Sequence, residues 1–217
     1  MIESETSARQ WIEALPGVDG AAMARLDLLV ALLAYENQRQ NLVSAASLEE
    51  VWQRHIADSA QLLAHVPRET SSPWLDLGTG AGFPGLVIAA LRPDMEVVMV
   101  ESRPLRVEWL QAAIAAMGLT QARVVGRKLE QVETRAMRVI SARAFAPLDK
   151  LLELSARFST SDTLWLLPKG RSARDEVNQL SGWAHLFHVE QSLTNPEAGI
   201  VVGTLEGKVA RKKGRKS

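Results

Sequence analysis

A chain of 217 residues, 47% apolar and 23% charged, has the makeup of one sizeable globular domain with a short extension. It has no Cys and only four His, at 55, 65, 185 and 188, which excludes disulfides and thiolate metal sites, argues against a His-rich metal centre and fits a reducing cytoplasm. The formal net charge of zero hides an asymmetry: residues 208–217 carry six basic groups and no acid, leaving 19 basic against 25 acidic groups in the rest.

No apolar run approaches the roughly 20 residues that span a bilayer. The acidic start Met1-Ile2-Glu3-Ser4-Glu5 has no apolar signal core. A cytoplasmic protein, free of membrane and metal and acting as a monomer, is therefore expected. An acidic body with a basic tail that includes Arg211, Lys212 and Lys213 suggests that the tail meets a polyanion; a solvated terminus with no partner is the alternative.

The first 65 residues read as helical. Leu26, Leu29, Val30 and Leu33 form one apolar stripe at i, i+3, i+4, i+7. Ser47, with Glu50 three residues on, predicts the capping box of a second helix reaching about His65, along which Trp52, Ile56, Ala60 and Leu63 follow at helical spacing. Pro67 to Pro73 is a polar linker. Residues 1–66 are thus expected to form a helical extension, 67–207 the main domain and 208–217 a basic tail.

From Trp74 the texture changes to short apolar runs alternating with helical patterns. Strands are predicted at Trp74–Leu77, Glu96–Val100, Arg123–Val125, Val139–Ala142 and Thr163–Leu167, with helices at Pro84–Leu91, Leu105–Met117, Leu148–Phe158 and near Ala173–Leu180. Two closing strands, near Leu186–Glu190 and Ile200–Leu205, suggest a hairpin that adds an antiparallel strand. Such alternation predicts an α/β fold with a doubly wound, mostly parallel sheet. Ligands in such sheets bind beyond the carboxyl ends of the strands, near the point where strand order reverses.

After the first strand, Trp74-Leu75-Asp76-Leu77-Gly78-Thr79-Gly80-Ala81-Gly82-Phe83-Pro84-Gly85 places an acid before a loop with Gly at every second position. Gly78, Gly80 and Gly82 allow close passage of the backbone beside a ligand. A dinucleotide turn would have G-x-G-x-x-G and a helix N-terminus aimed at a pyrophosphate, yet position 83 is Phe. S-adenosylmethionine has no phosphate; its sulfonium and ammonium favour a carboxylate such as Asp76. The alternative is a merely structural turn. Glu101, ending the run Val97–Val100, suits the two ribose hydroxyls, although NAD enzymes share this feature and a solvated helix cap would look the same. Leu129-Glu130, after the third strand and the loop Gly126-Arg127-Lys128, offers an apolar contact and a polar group for adenine, but by spacing alone a plain loop reads as well. Arg143, in Ser141-Ala142-Arg143-Ala144-Phe145-Ala146, sits where the transferred methyl would emerge, either as a bidentate fork for carboxylate or phosphate or as a structural ion pair.

Along most of its length the chain resembles the ribosomal small subunit methyltransferase G family, also called glucose-inhibited division protein B. The resemblance is carried by Asn41-Leu42, Arg54-His55-Ile56-Ala57-Asp58-Ser59, the stretch Asp76–Gly85, Ala142-Arg143-Ala144 and Pro168-Lys169-Gly170. It implies a class I, Rossmann-like methyltransferase fold with a seven-stranded sheet and S-adenosylmethionine as cofactor. The implied substrate is a guanine at position 527 of the 530 loop of bacterial 16S rRNA, methylated at N7, in the small subunit or an assembly intermediate. Carried over, the family's cofactor contacts fall on Gly78, Phe83, Leu129, Glu130 and Arg143. Two positions depart from the pattern: Val43 stands where Thr is frequent, and Arg138 where an acid often opens the fourth strand.

Guanine N7 carries an in-plane lone pair and needs no general base, so positioning is expected to dominate. Phe83 or Phe145 is a candidate for stacking on a ring, unless both are core residues. His55 and Asp58, three apart, face either the RNA and cofactor mouth or simply each other in a structural hydrogen bond. Lys169 is a candidate for rRNA phosphate, or is solvated. A methyltransferase of small molecules or proteins and a non-catalytic S-adenosylmethionine-binding module are the competing functions.

Overall fold

The computed structural model describes residues 1–67, 69–70 and 73–209. Its centre is a sheet in the order β3-β2-β1-β4-β5-β8-β7. The strands are β1 (Trp74–Leu77), β2 (Val97–Val100), β3 (Ala122–Val125), β4 (Val139–Ala142), β5 (Leu164–Gly170), β7 (His188–Gln191) and β8 (Gly199–Gly203). β1 to β5 pair in parallel, and β8 lies antiparallel between β5 and β7. The expected closing hairpin is therefore present. A separate two-stranded sheet, β6 (Trp183–His185) with β9 (Leu205–Lys208), was not anticipated. Lys208, counted with the tail in the sequence, closes β9 and lays its ammonium over the Trp183 ring at 5.1 Å.

Every residue of β1, β2 and β4 is buried, as expected of parallel strands covered on both faces. The strand period of two divides them between two cores. Trp74, Val97, Met99 and Val139 meet α5 (Gly85–Leu91), α6 (Pro104–Ala116) and the N-terminal helices, while Leu75, Leu77, Val98, Val100 and Ile140 meet α7 (Leu148–Ser155). Beyond α7, α8 (Ala173–Gln179) precedes β6.

Of the N-terminal elements, α1 (Glu5–Glu13) starts on a Ser4–Ser7 capping box and α2 (Gly20–Glu36) on Asp19. The Leu26, Leu29 and Leu33 stripe of α2 joins the core beside α5. The single helix expected from Ser47 to His65 is broken. Its N-cap is Ser44, whose hydroxyl accepts from the Ser47 N–H at 3.2 Å, so Ser47 lies inside α3 (Ala45–Glu49). Glu50 leaves the helix (φ −113°, ψ 38°), a π-helical turn runs over Trp52–Ala57, and α4 (Asp58–Ala60) and a 3-10 turn (Gln61–His65) follow. The π turn begins where Glu5 of α1 reaches across: its carboxylate accepts from the N–H groups of Trp52 and Gln53 at 3.0 and 2.8 Å. This long-range cap satisfies the donors that the break exposes. π turns concentrate at functional sites, and this one carries Arg54 and His55.

Strand order reverses between β1 and β4, whose neighbours β2 and β5 lie on opposite sides. The loops leaving β1 and β4 diverge there and open a crevice.

Candidate active site

The glycine turn after β1 is built around a buried carboxylate. Asp76 is fully enclosed and accepts from Thr79 Oγ1 (2.5 Å), Gly85 N (3.0 Å) and Ser141 Oγ (2.8 Å). Ser141 reaches it because the parallel register sets it directly opposite on β4. Burial pushes the carboxyl up to about 6, against the pull of the Thr79, Ser141 and Gly85 hydrogen bonds and of the Arg143 charge. It is thus mainly ionised at neutral pH. Gly85 has no space for a side chain: a Cβ there would stand 2.5 Å from Met99 Cγ and 2.9 Å from Asp76 Oδ2. Those contacts give the Phe-Pro-Gly ending of the loop its physical basis.

Asp76 is fully buried and does not line the open cleft. Its charge lies beneath the turn and takes the Gly85 N–H at the start of α5. In a dinucleotide site the helix N-terminus is where pyrophosphate binds. A buried anion there opposes phosphate and favours a cation.

The cleft itself has a volume of about 500 Å³, within the range of small-molecule sites. It is lined by Gly78, Val100, Glu101, Leu129, Glu130, Leu154 and Phe145, with a basic rim of Arg103, Arg106, Arg127 and Lys128. Gly78, Gly80 and Gly82 all have positive φ, the left-handed region that glycine enters freely. Glu101 ties the turn to β2: its carboxylate accepts from Gly80 N at 3.1 Å and from Ser102 N and Arg103 N at 2.7 and 2.9 Å. Leu129 is buried and Glu130 exposed on a 3-10 turn (Leu129–Gln131). That turn is clamped by Arg157, which donates to Leu129 O at 2.6 Å and Val132 O at 2.8 Å. Sequence reasoning missed Arg157 and Glu5, because each acts on a partner far away in the chain, and Thr79, because its local bond to Asp76 forms in the glycine turn rather than in a helix.

Arg143, at the end of β4, points toward the N-terminal helices. It donates to Arg54 O (3.2 Å) and Asp58 Oδ2 (3.3 Å), meets His55 Nδ1 at 3.2 Å and stands 5.2 Å from the centre of the Phe83 ring. Asp58 is further held by Thr194 Oγ1 and Gln61 Nε2, both at 2.9 Å. His55 and Asp58 therefore converge on Arg143 rather than on each other, which corrects the pairing considered from spacing. His55 is buried, stacks on Phe83 at 4.9 Å and 17°, and offers no surface to RNA. Phe83 is occupied by this contact and does not present its ring to the cleft. Lys169 is also engaged: its ammonium donates to Ala146 O (2.5 Å) and pairs with Glu176 at 2.9 Å, with the side chain 8% exposed. It is a strut rather than a free phosphate contact. Arg211, Lys212 and Lys213 lie outside the described residues.

Burial, reinforced by the Arg143 and Arg54 charges, holds His55 down to about 3. With Nδ1 accepting from Arg143, the proton sits on Nε2, which is buried without a partner. A histidine depressed in the fold contributes stability that is complete above its ordinary value near 6.5 and is lost as pH falls. Asp76, raised in the fold, has the opposite slope between about 6 and 4 and partly masks it. We therefore expect His55→Gln to gain on the parent by about 2 kcal/mol between pH 7 and 5 in denaturant titrations. A constant gap across that range would show that His55 is not held neutral.

Residues 22–197 match the family model for rRNA small subunit methyltransferase G. The chain belongs to that family. It is 60% identical over 205 residues to the ribosomal RNA small subunit methyltransferase G of Novosphingobium aromaticivorans, covering 93% of this chain and 89% of the relative. The protein of the same name from Erythrobacter litoralis is 59% identical over 204 residues, covering 94% and 97%. Among solved structures, a putative O-methyltransferase from Klebsiella pneumoniae superposes with a TM-score of 0.60 at 14% identity, covering 93% of this chain and 97% of that one. An MtNAS variant in complex with S-adenosylmethionine gives 0.57 at 15% identity, covering 94% and 84%. These likenesses show the class I methyltransferase fold. Family and fold together identify an S-adenosylmethionine-dependent methyltransferase of small-subunit rRNA. No helix among the described residues is long and apolar enough to cross a membrane.

Proposed function

We infer that this enzyme transfers a methyl group to N7 of guanine 527, in the 530 loop of 16S rRNA, within the cytoplasm and on the small subunit or an assembly intermediate. Membership of the rRNA family supports this over the small-molecule, protein-substrate and non-catalytic readings. The geometric observation that carries the cofactor assignment is Asp76, a buried anion under a turn with glycine at every second position. We take 67–208 as the methyltransferase domain, since Lys208 closes β9, 1–66 as its helical extension and 209–217 as the tail.

Bound S-adenosylmethionine supplies a sulfonium methyl that an in-line nucleophile can take. Gly78 and Gly80 let the backbone approach it, Glu101 faces the ribose, and Leu129 and Glu130 border the adenine. Any contact at Phe83 falls to its main chain, since the ring is stacked on His55. Arg143 lines the larger neighbouring cavity and not the cleft itself, and we assign it to positioning beside the methyl-donating end. The apparent His55–Asp58 dyad does not act as a general base: His55 Nδ1 already accepts from Arg143, and Asp58 is held by Arg143, Thr194 and Gln61. That arrangement suits guanine N7, which has no proton to remove. Catalysis then rests on holding base and cofactor in line, an effect worth roughly 7–11 kcal/mol at best.

We assign the basic tail to rRNA phosphate. Deleting residues 209–217 removes five cations, Arg211, Lys212, Lys213, Arg215 and Lys216. The slope of log affinity against log salt for a single-stranded 530-loop RNA is then expected to flatten by about 3. An unchanged slope would leave the tail without an RNA contact.

A further inference from the structure

A second, larger cavity of about 910 Å³ adjoins the cofactor cleft, and Ala144 and Phe145 line both. Resting on the rRNA guanine reading above, we propose that Phe145 is the residue that positions the target purine. Its ring is the wall between cofactor and base, and the guanine packs on its outer face.

Several independent observations place it there. A Cβ built on Gly78 would stand 2.3 Å from Phe145 Cδ2, so the ring lies directly against the first glycine of the cofactor turn. Ala144, just before it, is the only non-glycine residue with positive φ among the described residues, at 52°. An alanine in that region is strained, and such strain persists only where the surroundings hold it. Both sides of the dipeptide are held. Arg143 is fixed by Asp58 and His55. Ala146 O accepts from Lys169, whose partner Glu176 in turn accepts from Leu148 N at 2.7 Å. The strained turn thus presents one partly exposed aromatic ring between two anchored charges. Of the other aromatics at the turn, Phe83 is already used by His55, and Trp109 is buried with its indole donating to Ala81 O.

The chemistry suits an aromatic wall. In the transfer the N7 lone pair forms the new N–CH₃ bond as the methyl–sulfur bond breaks, and that electron pair returns to sulfur. Positive charge passes from sulfonium to purine, and no proton moves. A phenyl face attracts cations, so it favours the purine more as charge arrives than before. An interaction that strengthens along the reaction raises kcat rather than merely tightening binding.

The test compares Phe145→Leu and Phe145→Tyr with the parent, measuring S-adenosylmethionine Kd by calorimetry and single-turnover methylation of 16S rRNA. Because the ring also borders the cofactor cleft, Phe145→Leu is expected to weaken Kd somewhat, but to slow transfer at saturating cofactor by a further factor of roughly 10, and Phe145→Tyr to restore most of that rate. Unchanged transfer by Phe145→Leu, or slowing shared equally by Phe145→Tyr, would overturn the proposal. A rate at saturating cofactor equal to the parent's, with the whole defect in Kd, would also overturn it, since the ring would then serve the cofactor alone. If the parent itself left 16S rRNA unmethylated, the substrate reading would fail instead.

Discussion

Gly78→Asp is expected to abolish cofactor binding. Gly78 has φ 61°, and its Cβ position is 2.3 Å from the Phe145 ring. A side chain there must displace Phe145 and extend over the turn that faces the cofactor. S-adenosylmethionine affinity should fall at least ~100-fold by calorimetry, with backbone strain costing roughly 1–2 kcal/mol in a denaturant titration. Undiminished binding would move the cofactor site away from this turn.

Arg143→Ala is expected to lower methyl transfer about 100-fold, equivalent to about 2.7 kcal/mol. The guanidinium joins the N-terminal helices to the end of β4, through Asp58, His55 and the Arg54 carbonyl. Its loss removes a cation from the cavity beside the cofactor cleft and leaves Asp58 and His55 each one donor short. Arg143→Lys should recover only part of the rate, because an ammonium cannot reproduce the planar fork. Transfer at the parental rate in Arg143→Ala, measured at saturating cofactor and RNA, would show that the residue only ties helices to sheet.

Much of the fold is legible because strands buried on both faces leave near-continuous apolar runs, unbroken at Val97–Val100 and interrupted only by Asp76 in Trp74–Leu77 and Ser141 in Val139–Ala142. The glycine turn is legible too, since its φ values and the tight packing at Gly85 admit few other residues. What local pattern cannot supply is the distant partner. The break after Glu49 follows from the Glu5 carboxylate, more than forty residues upstream. His55 and Asp58 are read as neighbours on one helix face, yet their shared partner is Arg143, which only the folded sheet brings near. Lys169 carries the same charge whether it meets phosphate or Glu176, and only burial separates the two. Asp76 was visible as an acid before a turn; that its three hydrogen bonds turn it inward depends on Ser141 standing opposite in the β4 register.

The most direct measurement is mass mapping of 16S rRNA from cells with and without this gene. Loss of a single methyl group from the 530-loop fragment, at N7 of guanine 527, is predicted when the gene is absent, with restoration by the parent but not by Gly78→Asp. A fragment that keeps its methyl group without the gene, or loss of a methyl elsewhere in 16S rRNA, would contradict the assignment.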